Sequence, residues 1–201
     1  AVANDPAAPD LPLRYAPAPG AYGGRLSLVF GNHARGGECP FFTASRCGHC
    51  DIGAGEGIAF DLQTNRRRLD WFESHYAREW PSIAHLVVYN SGSVLNPREM
   101  PPELLDEILR FARSQPSIRV VSLDSRDSFV TADRVLRAAG ALRADQVLRV
   151  IVGVESADDR IRNEILKKQM PRDSIVRAFL AAARAGETAG ALRAGIDVNI
   201  L

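Results

Sequence analysis

Residues Ala84 to Leu123, which read AHLVVYNSGSVLNPREMPPELLDEILRFARSQPSIRVVSL, contain one complete strand–helix–strand unit. The apolar run Ala84–Tyr89 predicts a buried strand, and Ile118–Leu123 predicts a second one. Between them, Glu103–Ser114 predicts a helix, because apolar residues recur every three or four positions after two prolines. Two strands joined by a helix in this way lie parallel to each other in one sheet.

The same alternation of strand and helix extends to both sides of this unit. Upstream, it predicts a strand at Arg25–Gly31 and a helix at Asn65–Trp80. Repeated units of this kind define the α/β class with a parallel sheet, and we expect a partial (β/α) barrel. An open doubly wound sheet has the same periodicity and stays an alternative. The downstream elements predicted are a helix at Thr131–Ala139 capped by Thr131, a strand at Val147–Val154, helical stretches at Asp158–Leu166 and Arg172–Arg184, and a strand at Ile196–Leu201.

The chain divides by composition into an arm and a core. Residues 1–24 are rich in proline, alanine and glycine, which predicts an N-terminal arm without a core of its own. Residues 25–201 hold every predicted strand and helix and form the predicted core domain. No helix follows the last predicted strand to cover it, so we expect the chain to be part of a longer barrel.

The overall composition is that of an ordinary globular protein. Of the 201 residues, 46% are hydrophobic and 24% are charged. The formal net charge of +1 predicts no strongly basic surface for nucleic acid or an anionic membrane. No stretch approaches the roughly 18 apolar residues of a membrane span, and the N-terminal residues lack the basic region of a signal peptide. We therefore expect a cytoplasmic protein with no membrane partner.

Three cysteines, Cys39, Cys47 and Cys50, lie in the loop after the first predicted strand. An odd number of cysteines within so short a segment favours a metal site over a disulfide framework. Thiolates select soft metals, which leaves an iron–sulfur cluster or zinc. A Cys3His zinc site would be closed by His33 or His49, and a third alternative is a thiol redox pair formed by Cys47 and Cys50.

Small polar and acidic residues follow three later strands, at the edge where parallel sheets bind their ligands. The first group is Ser91, Gly92 and Ser93, the second is Asp124, and the third is Glu155 and Ser156. Each group also has a simpler structural interpretation. These are a strand-to-helix turn for the first group, an ion pair between Asp124 and Arg126 for the second, and helix capping for the third.

Together with the cysteine loop, these segments resemble the radical S-adenosylmethionine (SAM) superfamily. The matching stretches are YNSGSVLNP from Tyr89, LDSRDSFVT from Leu123 and GVESADDRIRNEILKK from Gly153. The commonest spacing in that superfamily is Cys-x3-Cys-x2-Cys, whereas this chain has Cys-x7-Cys-x2-Cys. The wider gap is similar to the branch that contains the elongator catalytic subunit and the archaeosine-forming tRNA enzymes.

The resemblance implies a cofactor site. Cys39, Cys47 and Cys50 would hold three irons of a [4Fe–4S] cluster, and SAM would bind the fourth. Asp124 stands where the family usually has a glutamate, and His49 stands where it usually has an aromatic residue. The SAM-binding residues implied by the resemblance are His49, Ser91, Gly92, Ser93, Asp124, Glu155 and Ser156, and no catalytic side chain is assigned.

The resemblance also implies an activity. The reduced cluster would pass one electron to SAM and cleave it to methionine and a 5′-deoxyadenosyl radical, which abstracts hydrogen from a substrate. An electron donor such as flavodoxin or ferredoxin is implied. Because the chain is not basic, we expect a small molecule from a bacterial biosynthetic pathway, a nucleoside or a sugar, in preference to tRNA. The alternatives are a tRNA-modifying radical SAM enzyme and, from another class, a non-catalytic Cys3His zinc module.

The remaining notable residues are predicted to be structural. The basic run Arg66–Arg68 is expected to lie on a solvated helix face. Trp71, Tyr76 and Trp80 recur at helical spacing and are expected to pack in the core, and His85 is expected to be structural.

Overall fold

One six-stranded sheet organises the part of the chain that the structure describes. The structure is a computed structural model that describes residues 18–33, 39–44, 47, 50, 60–188 and 194–200. The strands lie in the sheet in the order in which they occur along the chain. The first pair is antiparallel, and every later pair is parallel. The strands are β1 (Ala18–Gly20), β2 (Gly23–Phe30), β3 (Ile83–Asn90), β4 (Val120–Asp124), β5 (Val147–Glu155) and β6 (Ala194–Ile200).

Helices connect the successive parallel strands. A doubly wound sheet reverses its strand order at a switch point, whereas β2 to β6 follow one another without a reversal. The α/β prediction is therefore confirmed, with a five-stranded parallel sheet consistent with a partial β/α barrel. No helix within the described ranges has the length and apolar character needed to cross a membrane. The helices are α1 (Pro40–Thr43), α2 (Leu62–His75), α3 (Pro102–Ser114), α4 (Ala132–Ala141), a π-helical turn (Ile161–Ile165) and α5 (Arg172–Thr188).

The structure differs from the predicted elements mainly at three places. Ala18–Gly20, which fall within the predicted arm, form an edge strand that pairs with the start of β2. The predicted helix Asn65–Trp80 instead begins at Leu62, because the Asp61 side chain accepts a hydrogen bond from the Thr64 N–H at 2.6 Å, and it ends at His75. The predicted helical stretch Asp158–Leu166 is helical over residues 159–165, but Ile161–Ile165 form a π-helical turn in place of an α-helix.

The outer face of the sheet is apolar and is covered by the helices. Alternate residues of each strand point to this face, as the pleat requires. Tyr76 and Trp80 are buried in the same core and Trp71 packs against it, so the prediction that these three aromatic residues are packing residues is confirmed. The core includes Leu26, Leu28 and Phe30 of β2, Leu86 and Val88 of β3, Phe72 of α2, and Leu104 and Ile108 of α3.

The opposite, inner face of the sheet carries polar side chains. The parallel registers set Arg25 beside His85 and Ser122 beside Arg149, and Asp197 forms an ion pair with Arg149. His85 Nε2 lies 2.8 Å from Ser122 Oγ. Burial lowers the pKa of His85 to about 4, so its imidazole is neutral at physiological pH. This face, opposite the helices, corresponds to the interior of a β/α barrel.

One arginine of the basic run in α2 departs from the expected solvated face, whereas Arg67 is exposed and Arg66 is partly exposed. Arg68 is fully buried, donates to the Val29 carbonyl at 3.2 Å and lies 4.6 Å above the Phe60 ring. Its position follows from helical periodicity, since it shares one face of α2 with the buried residues Leu69 and Phe72. The prediction is wrong for Arg68 because it treated the three arginines as one charged run.

Candidate functional site

The three cysteines lie at the carboxyl edge of the parallel sheet, in the segment between β2 and α2. All three are half-buried, and none of them forms a disulfide. Cys39 directly precedes α1, and the Cys50 N–H donates to the Cys47 carbonyl at 3.3 Å. The Cys47 N–H donates to the Lys167 carbonyl at 3.2 Å, which ties this loop to the segment after β5. The predicted contact His49 lies outside the described residues.

The donor set of this loop fits an iron–sulfur cluster. Among the described residues, no three cysteine, histidine, aspartate or glutamate side chains form a group that could hold a single metal ion. A [4Fe–4S] cluster binds each cysteine through a different iron, so its three thiolates surround a larger group than a single metal ion. Burial raises the pKa of the Cys39 thiol, and bound metal would offset that cost by binding the thiolate.

A buried glutamate shapes the loop that follows β3. Glu99 Oε2 accepts a hydrogen bond from the Ser93 N–H at 2.7 Å, and Glu99 Oε1 accepts one from the Asn96 side chain. The Glu99 carboxyl is almost wholly buried, and burial raises its pKa while these hydrogen bonds act against the rise. The Glu99 carboxyl thus fixes the backbone of the predicted SAM-binding segment at Ser93.

Gly92 is required by the same packing. A Cβ atom at Gly92 would lie 2.0 Å from Glu99 Oε2 and 2.5 Å from Asn32 Nδ2, so no side chain fits there. Asn32, at the end of β2, donates to the Ser91 carbonyl at 2.8 Å and joins the ends of the two strands. Ser91, Gly92 and Ser93 therefore form one tightly held loop, and both serines are buried.

The acidic candidates Asp124 and Glu155 lie near each other at the ends of β4 and β5. Burial raises the pKa of Asp124 to about 7, the charge of Lys168 opposes the rise, and Glu155 adds to it. Lys168 is buried and its Nζ donates to Glu155 Oε1 at 3.0 Å. The result is a mixed-charge cluster of two carboxyls and one ammonium, which can bind a zwitterionic group or a diol.

Strained backbone is concentrated at this edge. Within the described residues, the non-glycine residues with left-handed φ are Cys47 (60°), Glu155 (65°), Lys167 (55°) and Gln169 (51°). The pairing of β5 with β6 shifts register between Gly153 and Glu155, which turns the Glu155 side chain out of the strand alternation. Such conformations persist where the surrounding contacts hold them, and they are typical of functional sites.

The last candidate, Ser156, is held in a local turn. Its hydroxyl accepts a hydrogen bond from the Asp158 N–H at 3.2 Å, and its carbonyl accepts one from Arg162 at 2.7 Å. Arg162 is buried, pairs with Asp159 and also donates to the Met170 carbonyl at 2.7 Å. Arg162 therefore fixes the whole segment from Ser156 to Met170, which includes Lys168.

The structure adds three residues to those that the sequence predicted. Glu99 holds the loop after β3, and Lys168 holds the loop after β5. Arg126 holds the loop after β4, and its backbone N–H donates to Ser93 Oγ at 3.3 Å. The expected ion pair of Arg126 with Asp124 is replaced by a contact with Asp127, at 3.9 Å. Lys168 lies within the GVESADDRIRNEILKK stretch, so a signal for it was present in the sequence.

The fold and this edge define a class: an α/β protein with a parallel sheet that presents a three-cysteine loop beside buried acids. No family model matches the chain. It is 28% identical over 169 residues to archaeosine synthase subunit beta of Methanosarcina acetivorans, and the match covers 81% of this chain and 45% of that protein. An uncharacterised protein of Methanocaldococcus jannaschii is 29% identical over 92 residues, 46% of this chain and 25% of that protein.

These similarities are distant and partial. The chain spans less than half the length of either relative. They agree with one part of the family resemblance, because the first relative is named as a subunit of an archaeosine-forming synthase. Membership in the radical SAM superfamily stays a prediction.

We expect Gly92→Ala to destabilise the protein. The new Cβ would meet the Glu99 carboxylate and the Asn32 amide, and overpacking of this kind costs about 1–3 kcal/mol. Gly140→Ala in α4 is the matched control, because nothing lies within 4 Å of its Cβ position, and alanine there is expected to stabilise by up to about 1 kcal/mol. Urea unfolding measures both, and a Gly92→Ala variant as stable as the wild type would contradict the packing described.

We expect Asp124 to lower stability as the pH rises. Its folded-state pKa of about 7 exceeds its unfolded value, so the folded state binds more protons between about pH 4 and 7 and loses stability through that range. Asp124→Asn should therefore be more stable than the wild type at pH 8 and nearly equal to it at pH 4.

Asp145→Asn, at an exposed position, is the control for this experiment. Arg143 holds the pKa of Asp145 below its usual value, so removal of this charge should slightly lower stability at pH 8. Urea unfolding from pH 4 to pH 8 measures the three proteins. An Asp124→Asn variant that matches the wild type at pH 8 would be inconsistent with a buried acid.

Proposed function

We propose that this chain is the cofactor-binding core of a radical SAM enzyme that modifies tRNA. One observation carries the proposal: the three cysteines, the Ser91–Ser93 loop and the Asp124–Glu155 pair lie together at the carboxyl edge of one parallel sheet. The order of these segments along the chain supports the same assignment. The sequence favoured a small-molecule substrate, but similarity to an archaeosine synthase subunit favours the tRNA alternative.

Cys39, Cys47 and Cys50 would hold a [4Fe–4S] cluster and leave one iron for SAM. When bound and reduced, the cluster supplies one electron, which cleaves SAM to methionine and a 5′-deoxyadenosyl radical. The half-buried loop would restrict access of water and oxygen to the thiolates. A flavodoxin or ferredoxin is the proposed electron donor.

The polar residues of the edge would orient SAM. Asp124 would receive the ammonium group as a carboxylate, because a bound cation draws the pKa of a neighbouring acid downward. Glu155 would accept hydrogen bonds from the ribose hydroxyls, and Lys168 fixes the position of its carboxylate. Gly92, whose missing side chain leaves room for the Glu99 carboxylate and the Asn32 amide, would keep the backbone between Ser91 and Ser93 in the shape that the ligand contacts.

The net charge of +1 suggests that this chain does not bind tRNA strongly by itself. The relative that it resembles is named as a subunit and is more than twice as long as the matched part. We propose that further protein, either a partner subunit or additional chain, contributes the basic surface that tRNA requires.

Anaerobic reconstitution with iron and sulfide tests the cluster. We expect about four irons per chain and a broad absorption band near ~400 nm, both lost in Cys47→Ala but kept in Gly140→Ala. Zinc analysis of the same samples tests the alternative of a zinc module. A colourless protein that retains one zinc per chain after reconstitution would establish that module and reject the cluster.

The substrate class is tested by the formation of 5′-deoxyadenosine after chemical reduction. Unmodified tRNA should increase the amount formed from SAM, whereas free nucleosides and sugars should not. The opposite pattern, with stimulation by a nucleoside or sugar alone, would restore the small-molecule assignment.

A further inference from the structure

The Arg126 side chain connects three parts of the site. Its Nη1 lies 3.6 Å from Cys47 Sγ, within hydrogen-bond reach of a sulfur acceptor. Its Nη2 donates to the Gln169 carbonyl at 3.1 Å, and its guanidinium carbon lies 3.6 Å from the centre of the Phe41 ring. The side chain is only 10% exposed. Arg126 is therefore clamped between the cysteine loop and the strained segment that follows β5.

The charge of Arg126 is directed toward the sulfur. Among the described residues, the Asp127 carboxylate forms the ion pair of Arg126, at 3.9 Å from Nε and beyond hydrogen-bond distance, and the Glu99 carboxyl interacts with the same charge at longer range. The other carboxylate oxygen of Asp127 accepts a hydrogen bond from the Ser174 hydroxyl, which holds Asp127 toward α5. The Phe41 ring covers one face of the guanidinium, and Nη1 at its edge lies beside the Cys47 sulfur.

We propose that Arg126 is a positioning residue for the cluster, one that orients the Cys47 thiolate and raises the reduction potential of the bound cluster. The inference rests on the proposed function, because it requires the cysteines to carry an iron–sulfur cluster. It adds a role for a residue that the family resemblance left unassigned.

Reduction adds one electron to the cluster and so changes its charge. The reduced cluster carries one more negative charge than the oxidised cluster, and part of that charge lies on the thiolate sulfurs. A hydrogen-bonded cation beside one sulfur stabilises the reduced form more than the oxidised form, which raises the potential. The low exposure of Arg126 strengthens this effect, since little water screens the pair.

The geometry needs an arginine and not merely a positive charge. Only the planar guanidinium can stack on Phe41 while two of its nitrogens reach Cys47 and the Gln169 carbonyl. A lysine would keep the charge but lose the stacking and one of the two contacts. Arg126→Lys should therefore retain part of the effect that Arg126→Gln loses.

The test is an anaerobic redox titration of the reconstituted protein, monitored by electron paramagnetic resonance. We expect Arg126→Gln to favour the oxidised cluster by at least about tenfold, equivalent to a potential about 59 mV more negative for a one-electron couple. Arg126→Lys should give an intermediate value. Arg134→Gln is the matched control and should leave the potential unchanged, because Arg134 lies 5.8 Å above Phe129 and donates to its carbonyl without touching a cysteine.

The outcomes separate this inference from the proposed function. A wild-type chain that binds iron and sulfide, with the same potential in Arg126→Gln, would overturn the role of Arg126 alone. A wild-type chain that forms no cluster would overturn both. Arg126→Gln could lose its cluster while its circular dichroism stays native. The reduction potential of Arg126→Lys then tests the inference. A potential equal to that of the wild type in Arg126→Lys would reject the role of the guanidinium geometry.

Discussion

The parallel alignment of β2 to β6 is the constraint on which the rest of this structure depends. Because all five strands run in one direction, every loop that follows a strand begins at the same edge of the sheet. Residues as distant in sequence as Cys47 and Arg126 thereby come within 3.6 Å of each other. The apolar outer face, packed against the helices, maintains the alignment and leaves the edge and the inner face free for polar groups.

The edge itself is held by buried charged groups that contact neighbouring loops. Glu99 fixes the loop after β3, Arg126 joins the loop after β4 to the cysteines, and Arg162 and Lys168 fix the segment after β5. Removing the partner of such a group strongly destabilises a protein, because it leaves a buried charge uncompensated. Their contacts therefore couple the loops, and a change in one loop should disturb its neighbours. The raised pKa of Asp124 is a further sign that stability is lowered here to keep an ionisable group at the edge.

The sequence predicted the strands and helices well where hydrophobic periodicity was strong. The limits of β3 and α3 differ from the predicted ones by at most one residue, because β3 is a continuous apolar run and the apolar residues of α3 recur every three to four positions. The cysteine loop and the three polar segments were also found from their positions after strands. Glu99 was missed, since nothing in a single sequence distinguishes a buried loop glutamate from a solvated one. Arg68 was misassigned although its helical position held the necessary signal.

In the proposed function, the cysteine loop and the acids beside it form one site for a cluster and SAM. The most direct measurement is the electron paramagnetic resonance spectrum of the reconstituted and reduced chain, recorded before and after SAM is added. The account predicts a signal from a reduced cluster whose g values change with SAM, and a weaker change in Glu155→Gln. A cluster signal that is indifferent to SAM, or no cluster signal at all, would contradict it.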